Sequence, residues 1–431
     1  MGGAKRRVRV VGQNHSSNEE ITRVIEKCSH LSRPAIPRIL RRVRNSMPMP
    51  THASREKKLR SAIRRSLRAQ GFRISGNHVS FRQRRDKRSV RKRHEHAVEK
   101  RIALAEGALA GNENKLLGYI ASGREVDPNR IRPRLVQVEP DTMESKLFRY
   151  ACLHWSIPIS DGYGRRLRFL IFDDSNHKLI GLFGLGDPVY AIRARDEWIG
   201  WGTKAKAARL YHVMDAYVLG AVPPYSRLLA GKLVALATAC NEVRRAFVER
   251  YGNRVSLISG KKRNPDLVLV TTTSALGRSS LYNRVKFGKR LVYESVGFTG
   301  GWGEFHFSDG VYEDISEFAR KHCVPTAKQE KWGNGFRNRR ELVRKALVKL
   351  GYTQDLLNHG IQREVFVAPL ASNARPFLRG EQSRPRYRRL SFQRAVDFWR
   401  KRWLLPRAER DATFQEFDSK EWRLWKECED D

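Results

Sequence analysis

Ala216-Tyr-Val-Leu-Gly-Ala-Val222 is an unbroken apolar run with the length of a buried strand. Pro223 and Pro224 halt it, because proline has no N–H to give to a ladder. Tyr225-Ser-Arg-Leu-Leu-Ala-Gly-Lys232 then leads into a long helical pattern. Leu229, Leu233, Leu236, Ala237, Cys240, Val243, Phe247 and Val248 recur at three- and four-residue spacing as far as Tyr251. Gly252 supplies the stop, since glycine takes the left-handed cap conformation at little cost. Asp266-Leu-Val-Leu-Val-Thr-Thr-Thr273 is a second strand, and Gly277-Arg-Ser-Ser-Leu-Tyr-Asn-Arg-Val-Lys-Phe287 reads as a short helix followed by a turn.

Working outward, Arg130-Ile-Arg-Pro-Arg-Leu-Val-Gln-Val138 reads as the first strand of the same domain. A helix capped by Asp141 follows, holding Leu147, Phe148, Ala151 and Trp155. Arg168-Phe-Leu-Ile-Phe-Asp173 and Lys178-Leu-Ile-Gly-Leu-Phe183 are strands joined by a hairpin turn at Asp174-Ser-Asn-His177. Residues 289–307 add strand-like sequence, Asp314 to His322 and Arg339 to Leu350 are helical, and Arg363-Glu-Val-Phe-Val-Ala-Pro-Leu370 is a late strand. The expectation is an α+β fold, a mixed sheet flanked by helices, over residues 126–370. Residues 371–431 form a basic and aromatic extension that packs back on this core through Trp399, Trp403, Trp422 and Trp425.

The N-terminal part has another character. Residues 1–17 are a basic, polar tail, and residues 18–125 form a basic head. Asn18 can cap a helix bearing Ile21, Val24, Ile25 and Cys28, and Leu31 to Val43 starts a second one. Beyond Met47-Pro-Met-Pro50, Ser54 can cap a helix with Leu59, Ala62, Ile63 and Leu67 inward and Arg64, Arg65 and their basic neighbours outward. Phe72 to Phe81 then reads as two short strands around a Gly-Asn turn. Helix and hairpin together are the local grammar of a winged helix, and a plain basic helical extension fits the same residues. Arg84, Arg85, Lys87, Arg88, Arg91, Lys92 and Arg93 crowd the most basic segment, which continues as a helix to Leu109. It reads either as a solvated linker helix or as a clamp on phosphates, which carry no base identity.

Composition narrows the classes. The chain has 431 residues, 85 Lys+Arg and 45 Asp+Glu, a formal net charge of +40. So large a surplus favours polyanions, above all nucleic acid. No strongly apolar helix face adjoins the basic runs, so no membrane partner is expected. The five cysteines are scattered and form no C-x-x-C pair, so neither a metal site nor a disulfide framework is expected, and a reducing cytoplasm fits. The first residues lack the apolar core of a signal peptide.

The order strand, phosphate-sized loop, helix, strand, short helix with a tyrosine resembles the central half of the GNAT (Gcn5-related) acyltransferase fold. That resemblance implies a GNAT-like core with acyl-CoA as cofactor, its pyrophosphate held at a Gln/Arg-x-x-Gly-x-Gly/Ala loop. The corresponding segment runs from Arg227 through Ala230 and Gly231 to Lys232, with Ala230 in place of the first motif glycine and Lys232 in place of the last small residue. Tyr282 would be the acid that protonates the departing thiolate. A closer resemblance covers about residues 130 to 380. Trp155-Ser-Ile-Pro-Ile-Ser-Asp-Gly-Tyr-Gly-Arg-Arg166, Leu182-Phe-Gly-Leu-Gly-Asp-Pro188, Arg195-Asp-Glu-Trp-Ile-Gly-Trp201, Val218 to Tyr225, Thr271 to Ser280 and Glu364 to Leu370 are similar to the DruA family. The family takes its name from the Druantia anti-phage systems of bacteria. Membership implies a role in antiviral defence, with a helicase and other subunits of the system as partners.

Three polar clusters interrupt the apolar framework. Tyr163, Arg165 and Arg166 can grip phosphate and stack on a base, or form a salt-bridged surface loop. Asp196 or Glu197, beside Trp198 and Trp201, can serve as general base, since burial against indole raises a carboxyl pKa; an Arg-Asp bridge in a tryptophan core reads from the same residues. Arg278, Ser279 and Tyr282 lie where the resemblance puts the thioester and the phosphoadenosine, or they cap an ordinary helix. Three functions follow: an acyl-type transferase acting on DNA or a DNA-bound target, a non-catalytic DNA-recognition subunit working with a helicase, and a mobile-element enzyme acting on DNA strands.

Overall fold

The computed structural model describes residues 52–70, 72–76, 78–80, 87–157, 159, 164–253, 255, 260, 265–277, 279–303, 307, 310–325, 332, 336–358 and 360–425. The chain divides into two units, Met1–Ser61 and Ala62–Asp431. In the first, the described residues begin the helix α1 (His52–Ala69), where Arg60 pairs with Glu56 at 3.7 Å. The reading of helices between Asn18 and Val43 lies outside the described residues, as do Arg84 and Arg85.

The second unit is built on a seven-stranded mixed sheet flanked by helices. Its strands are β1 (Pro133–Gln137), β2 (Arg166–Asp173), β3 (Lys178–Gly186), β4 (Val213–Ala221), β5 (Leu269–Thr273), β6 (Glu294–Phe298) and β7 (Glu364–Pro369). Their spatial order is β6-β7-β5-β4-β3-β2-β1. Every neighbouring pair is antiparallel except β4 and β5, which run parallel. A parallel pair needs a crossover, and the segment after β4 supplies one.

That crossover is two helices where one long helix was expected. They are α5 (Ala230–Ala237) and α6 (Asn241–Tyr251), separated at Thr238–Cys240. Thr238 Oγ1 donates back to the Ala235 carbonyl at 2.8 Å, a side-chain bond that competes with the helical ladder. Leu233, Leu236, Cys240, Val243 and Phe247 still share one buried cluster, so the spacing hides the break. The helix α3 (Met143–Leu153) is capped by Thr142, whose side chain accepts from Ser145 N, and not by Asp141.

Strand alternation sorts the core into layers. On one face Phe169, Phe183, Leu185, Met214 and Phe366 meet α5, α6 and the C-terminal helix α10 (Phe392–Trp399). The other face carries two clusters. Leu170, Phe172, Leu182 and Val218 pack on α3, together with Trp422 and Trp425. Val213, Leu269 and Val367 pack on α4 (Arg193–Ile199) and α9 (Ala374–Arg379). The C-terminal extension thus contributes tryptophans to both faces: Trp399 to one, Trp422 and Trp425 to the other.

Further helices and a hairpin belong to the same unit. Arg73–Ser75 and His78–Ser80 pair antiparallel, and the helix α2 (Lys87–Leu109) follows. Two helices inserted between β6 and β7, α7 (Val311–His322) and α8 (Phe336–Lys349), pack on each other. His78–Ser80 lies beside the Gln354–Leu357 turn, so the described part of the head draws on two distant stretches of chain.

Candidate functional site at the parting of two strands

The parallel pair is short. Val213, Met214 and Asp215 of β4 stand opposite Leu269, Val270 and Thr271 of β5. Past that rung, β4 pairs only with β3 as far as Ala221, and β5 pairs only with β7. The register of β4 also slips against β3 between Gly184 and Leu185, which leaves Tyr217 as an extra residue. The strands therefore open at their carboxyl ends, the place where sheets with parallel strands offer a crevice.

Polar side chains line the opening on both faces. Thr271 donates its hydroxyl to Asp215 Oδ1 at 2.7 Å, and Asp215 Oδ2 takes no hydrogen bond among the described residues. The Asp215 carboxyl is held above the usual carboxylate range by burial, opposed by the Thr271 bond and by the charges of Arg195 and Arg166. Arg166 lies over the Tyr217 ring at 4.2 Å, and its Nε is buried without a hydrogen-bond partner. Glycines make this packing fit. A Cβ at Gly184 would come within 2.4 Å of the Tyr217 ring, and one at Gly186 within 2.9 Å of the Arg166 guanidinium. On the opposite face Thr272 Oγ1 donates to the Ala216 carbonyl at 2.9 Å and lies close enough to Tyr282 to influence its hydroxyl.

Tyr282 is buried and leans on Tyr293 at 5.1 Å and Phe366 at 5.0 Å between ring centres. Burial pushes its hydroxyl up to about 12. Tyr293 shares a 2.6 Å hydrogen bond with Thr238, the residue that breaks the crossover. The short helix bearing Tyr282 hangs on Glu364 of β7, which accepts from Ser279 N at 3.1 Å and Ser295 Oγ at 2.8 Å. Tyr282 thus comes to the strand opening, but Asp196 and Glu197 do not join it as a pair. Asp196 accepts from Arg195 at 2.7 and 2.9 Å, Lys206 at 2.7 Å, and the Trp201 indole and Ile192 N at 3.2 Å. Arg195 is fully buried, so this carboxylate serves as its counter-ion. Glu197 is exposed and pairs with Arg193 at 2.7 Å.

The loop expected to hold pyrophosphate spends its amides internally. The N–H groups of Ser226, Arg227, Leu228, Leu229, Ala230 and Lys232 all donate to carbonyls between Val222 and Leu229. Leu229 adopts a left-handed backbone at φ 58°, just before Ala230 opens α5. The C-terminal extension covers this turn. Trp399 Nε1 donates to Leu229 O at 3.1 Å, and Arg407 Nε to Arg227 O at 3.1 Å. Arg227 itself reaches the Thr413 carbonyl and Glu416. Ala230 is buried and Gly231 faces Leu281, which leaves Lys232 to point outward over the Trp403 ring at 4.9 Å. The loop presents side chains rather than the amide cradle that the resemblance implies.

The basic residues fall into three groups. Arg64 and Arg65 on α1, and Lys87, Arg88, Arg91 and Lys92 on α2, are exposed and make no ion pair among the described residues. Arg165 is locked: it pairs with Asp187 at 2.6 Å, donates to Tyr211 O at 2.7 Å and lies 4.3 Å over the Tyr211 ring. Arg93 belongs to α2, while Tyr163 and Arg278 lie outside the described residues. No group of His, Cys, Asp and Glu among the described residues could hold a metal ion, and no described helix is long and apolar enough to cross a membrane. In the sequence Asp215, even with His212, is too thin to make a metal site; it is one carboxylate at the edge of an apolar run, and its significance depends on a partner 56 positions away.

Residues 84–380 match the family model described as Druantia protein DruA. Over 373 residues the chain is 40% identical to "Druantia protein DruA" of Escherichia coli (strain UMEA 4076-1), an alignment covering 86% of this chain and 90% of that relative. No solved structure matches. The matched span takes in all seven strands, the opening between β4 and β5, and the helix α2 with its exposed cations. The chain belongs to the DruA family of Druantia proteins.

Proposed function

We propose that this protein is a DNA-engaging component of a Druantia anti-phage defence system, holding the nucleic acid through its arginine-rich helices and acting with a helicase and other subunits of that system. The observation that carries the reading is the set of exposed cations Arg64, Arg65, Lys87, Arg88, Arg91 and Lys92 on α1 and α2, which make no ion pair among the described residues, in a chain of formal net charge +40. Cations that neutralise phosphates release the counterions condensed on the nucleic acid, and that release drives binding. The helix α1 followed by the 73–75/78–80 hairpin supports a winged-helix-like head. Titration of labelled duplex and single-stranded DNA with the full chain tests the proposal. Binding that falls steeply with salt is the expected result, and no binding at low salt overturns it.

A second reading gives the sheet a chemical role. Four antiparallel strands, one parallel pair opening at its carboxyl ends, a helical crossover and a final pair placed in reverse order support a GNAT-like plan. Asp215, with an unbonded oxygen and a raised pKa, stands in the opening as a proton acceptor for an amine nucleophile. Acyl transfer to DNA or to a DNA-bound target would use it. Mass spectrometry of DNA and protein from cells expressing the chain, with and without Asp215→Asn, tests this. An adduct absent from the variant supports transfer, and no adduct in either sample removes it.

A further inference from the structure

We infer that Phe287, Phe398 and Trp403, with Lys232, Arg284 and Arg402, form a binding surface for single-stranded nucleic acid. The inference rests on the DNA-engaging reading and gives it a site distinct from the helices α1 and α2. Three distant stretches of chain meet here: the first turn of α5, the turn after Tyr282, and the C-terminal extension. The Phe287 and Phe398 ring centres lie 5.2 Å apart, and those of Phe398 and Trp403 5.3 Å apart. All three rings are half-buried, so each keeps surface in contact with solvent.

Cations crowd these rings without carboxylate partners. The Lys232 ammonium lies 4.9 Å over Trp403, and the Arg394 guanidinium 5.4 Å over Phe287. Lys232, Arg284 and Arg402 make no ion pair among the described residues. Burial of the Lys232 ammonium, together with the neighbouring charges of Arg284 and Arg402, holds its pKa below the usual lysine range. Asp397 is the acidic residue beside Phe398, and Gln393 donates to its carboxylate at 2.9 Å. Like charges converging on a half-buried ammonium repel one another, and an arriving anion relieves that repulsion. A phosphate supplies the charge.

The aromatic run decides which phosphate. Every base has a π-face, so half-buried rings set among cations suit an unpaired strand, whereas a duplex keeps its bases stacked inside. More than one ring suits more than one base, which a mononucleotide cofactor does not offer. The adjoining loop has also committed its amides to its own carbonyls, so side chains are what remains to meet phosphate there.

The test measures binding of a labelled mixed-sequence single strand, the same sequence as duplex, and coenzyme A to the full chain across a salt series. The variants are Phe287→Leu, Trp403→Leu and the pair Lys232→Met with Arg402→Gln, each checked for an unchanged thermal midpoint. Loss of one stacking ring weakens the single strand about tenfold and leaves its salt slope in place. The cation pair lowers the log–log salt slope by about one and weakens binding. Duplex affinity changes much less in all three. Equal loss for both DNA forms, or a loss confined to coenzyme A, overturns the single-strand assignment. If wild-type chain binds DNA and these variants match it, this surface is excluded while the α1 and α2 reading stands. If wild-type chain binds no nucleic acid, both fall together. Should a variant unfold, ultraviolet cross-linking of the wild-type chain to a single strand decides instead: adducts on the peptides bearing Phe287 or Trp403 support the surface, and adducts confined to other peptides reject it.

Discussion

Thr271 donates its hydroxyl to Asp215 at 2.7 Å, across the rung where the two parallel strands part. This bond lowers the pKa of a carboxyl that burial raises. A group with a raised folded pKa binds protons more readily folded than unfolded, so its contribution is fully favourable below the ordinary carboxyl range and is lost as pH rises.

Asp215→Asn is therefore expected to raise the thermal midpoint at pH 7, with the gap to wild type closing as pH falls toward 3.8, the ordinary aspartate value. Thr271→Val removes the compensating bond and is expected to cost about 2 kcal/mol at neutral pH. Thermal unfolding across a pH series measures both. An Asp215→Asn gap that is constant with pH would sink the assignment of burial as the dominant cause.

The Arg195–Asp196 hub makes an opposite prediction for neighbouring residues. Asp196→Ala strands a fully buried guanidinium and is expected to cost about 3–5 kcal/mol. Glu197→Gln removes an exposed ion pair and is expected to leave stability nearly unchanged. Denaturant unfolding of the two variants distinguishes them, and similar small losses would show that Asp196 does not carry Arg195.

His154 stacks on Trp422 with ring centres 3.9 Å apart and planes within 6°, and its Nε2 is buried without a partner. Burial holds its pKa down at about 4, against 6.5 for an ordinary imidazole. The unfolded chain takes up the proton first, so stability falls as pH drops from about 6.5 to about 4 and then levels. His154→Phe keeps a flat ring on Trp422 and is expected to flatten that part of the pH–stability curve. A slope matching wild type would assign the acid sensitivity elsewhere.

Apolar runs revealed the strands within a few residues: Lys178–Phe183 was readable, and the structure continues it to Gly186. Gly184 and Gly186 carry no periodic signal of their own, and they belong to the strand because Tyr217 and Arg166 need the space. The break in the crossover was hidden because Leu236 and Cys240 keep helical spacing on either side of Thr238. The carboxylates of Arg195-Asp-Glu197 stood out as a pair, yet only their surroundings separate the counter-ion Asp196 from the exposed Glu197. Local sequence cannot display a site such as Asp215 with Thr271, or Lys232 with Trp403, because each joins segments that only the folded chain brings together.

The central claim is that unpaired cations on the basic helices hold DNA. Arg88→Glu combined with Arg91→Glu tests it most directly, because both side chains are exposed and make no ion pair among the described residues, so stability is little disturbed. The measurement is DNA affinity of the full chain across a salt series. Weakened binding with a flatter salt dependence is the predicted result. Affinity and slope unchanged from wild type would contradict it.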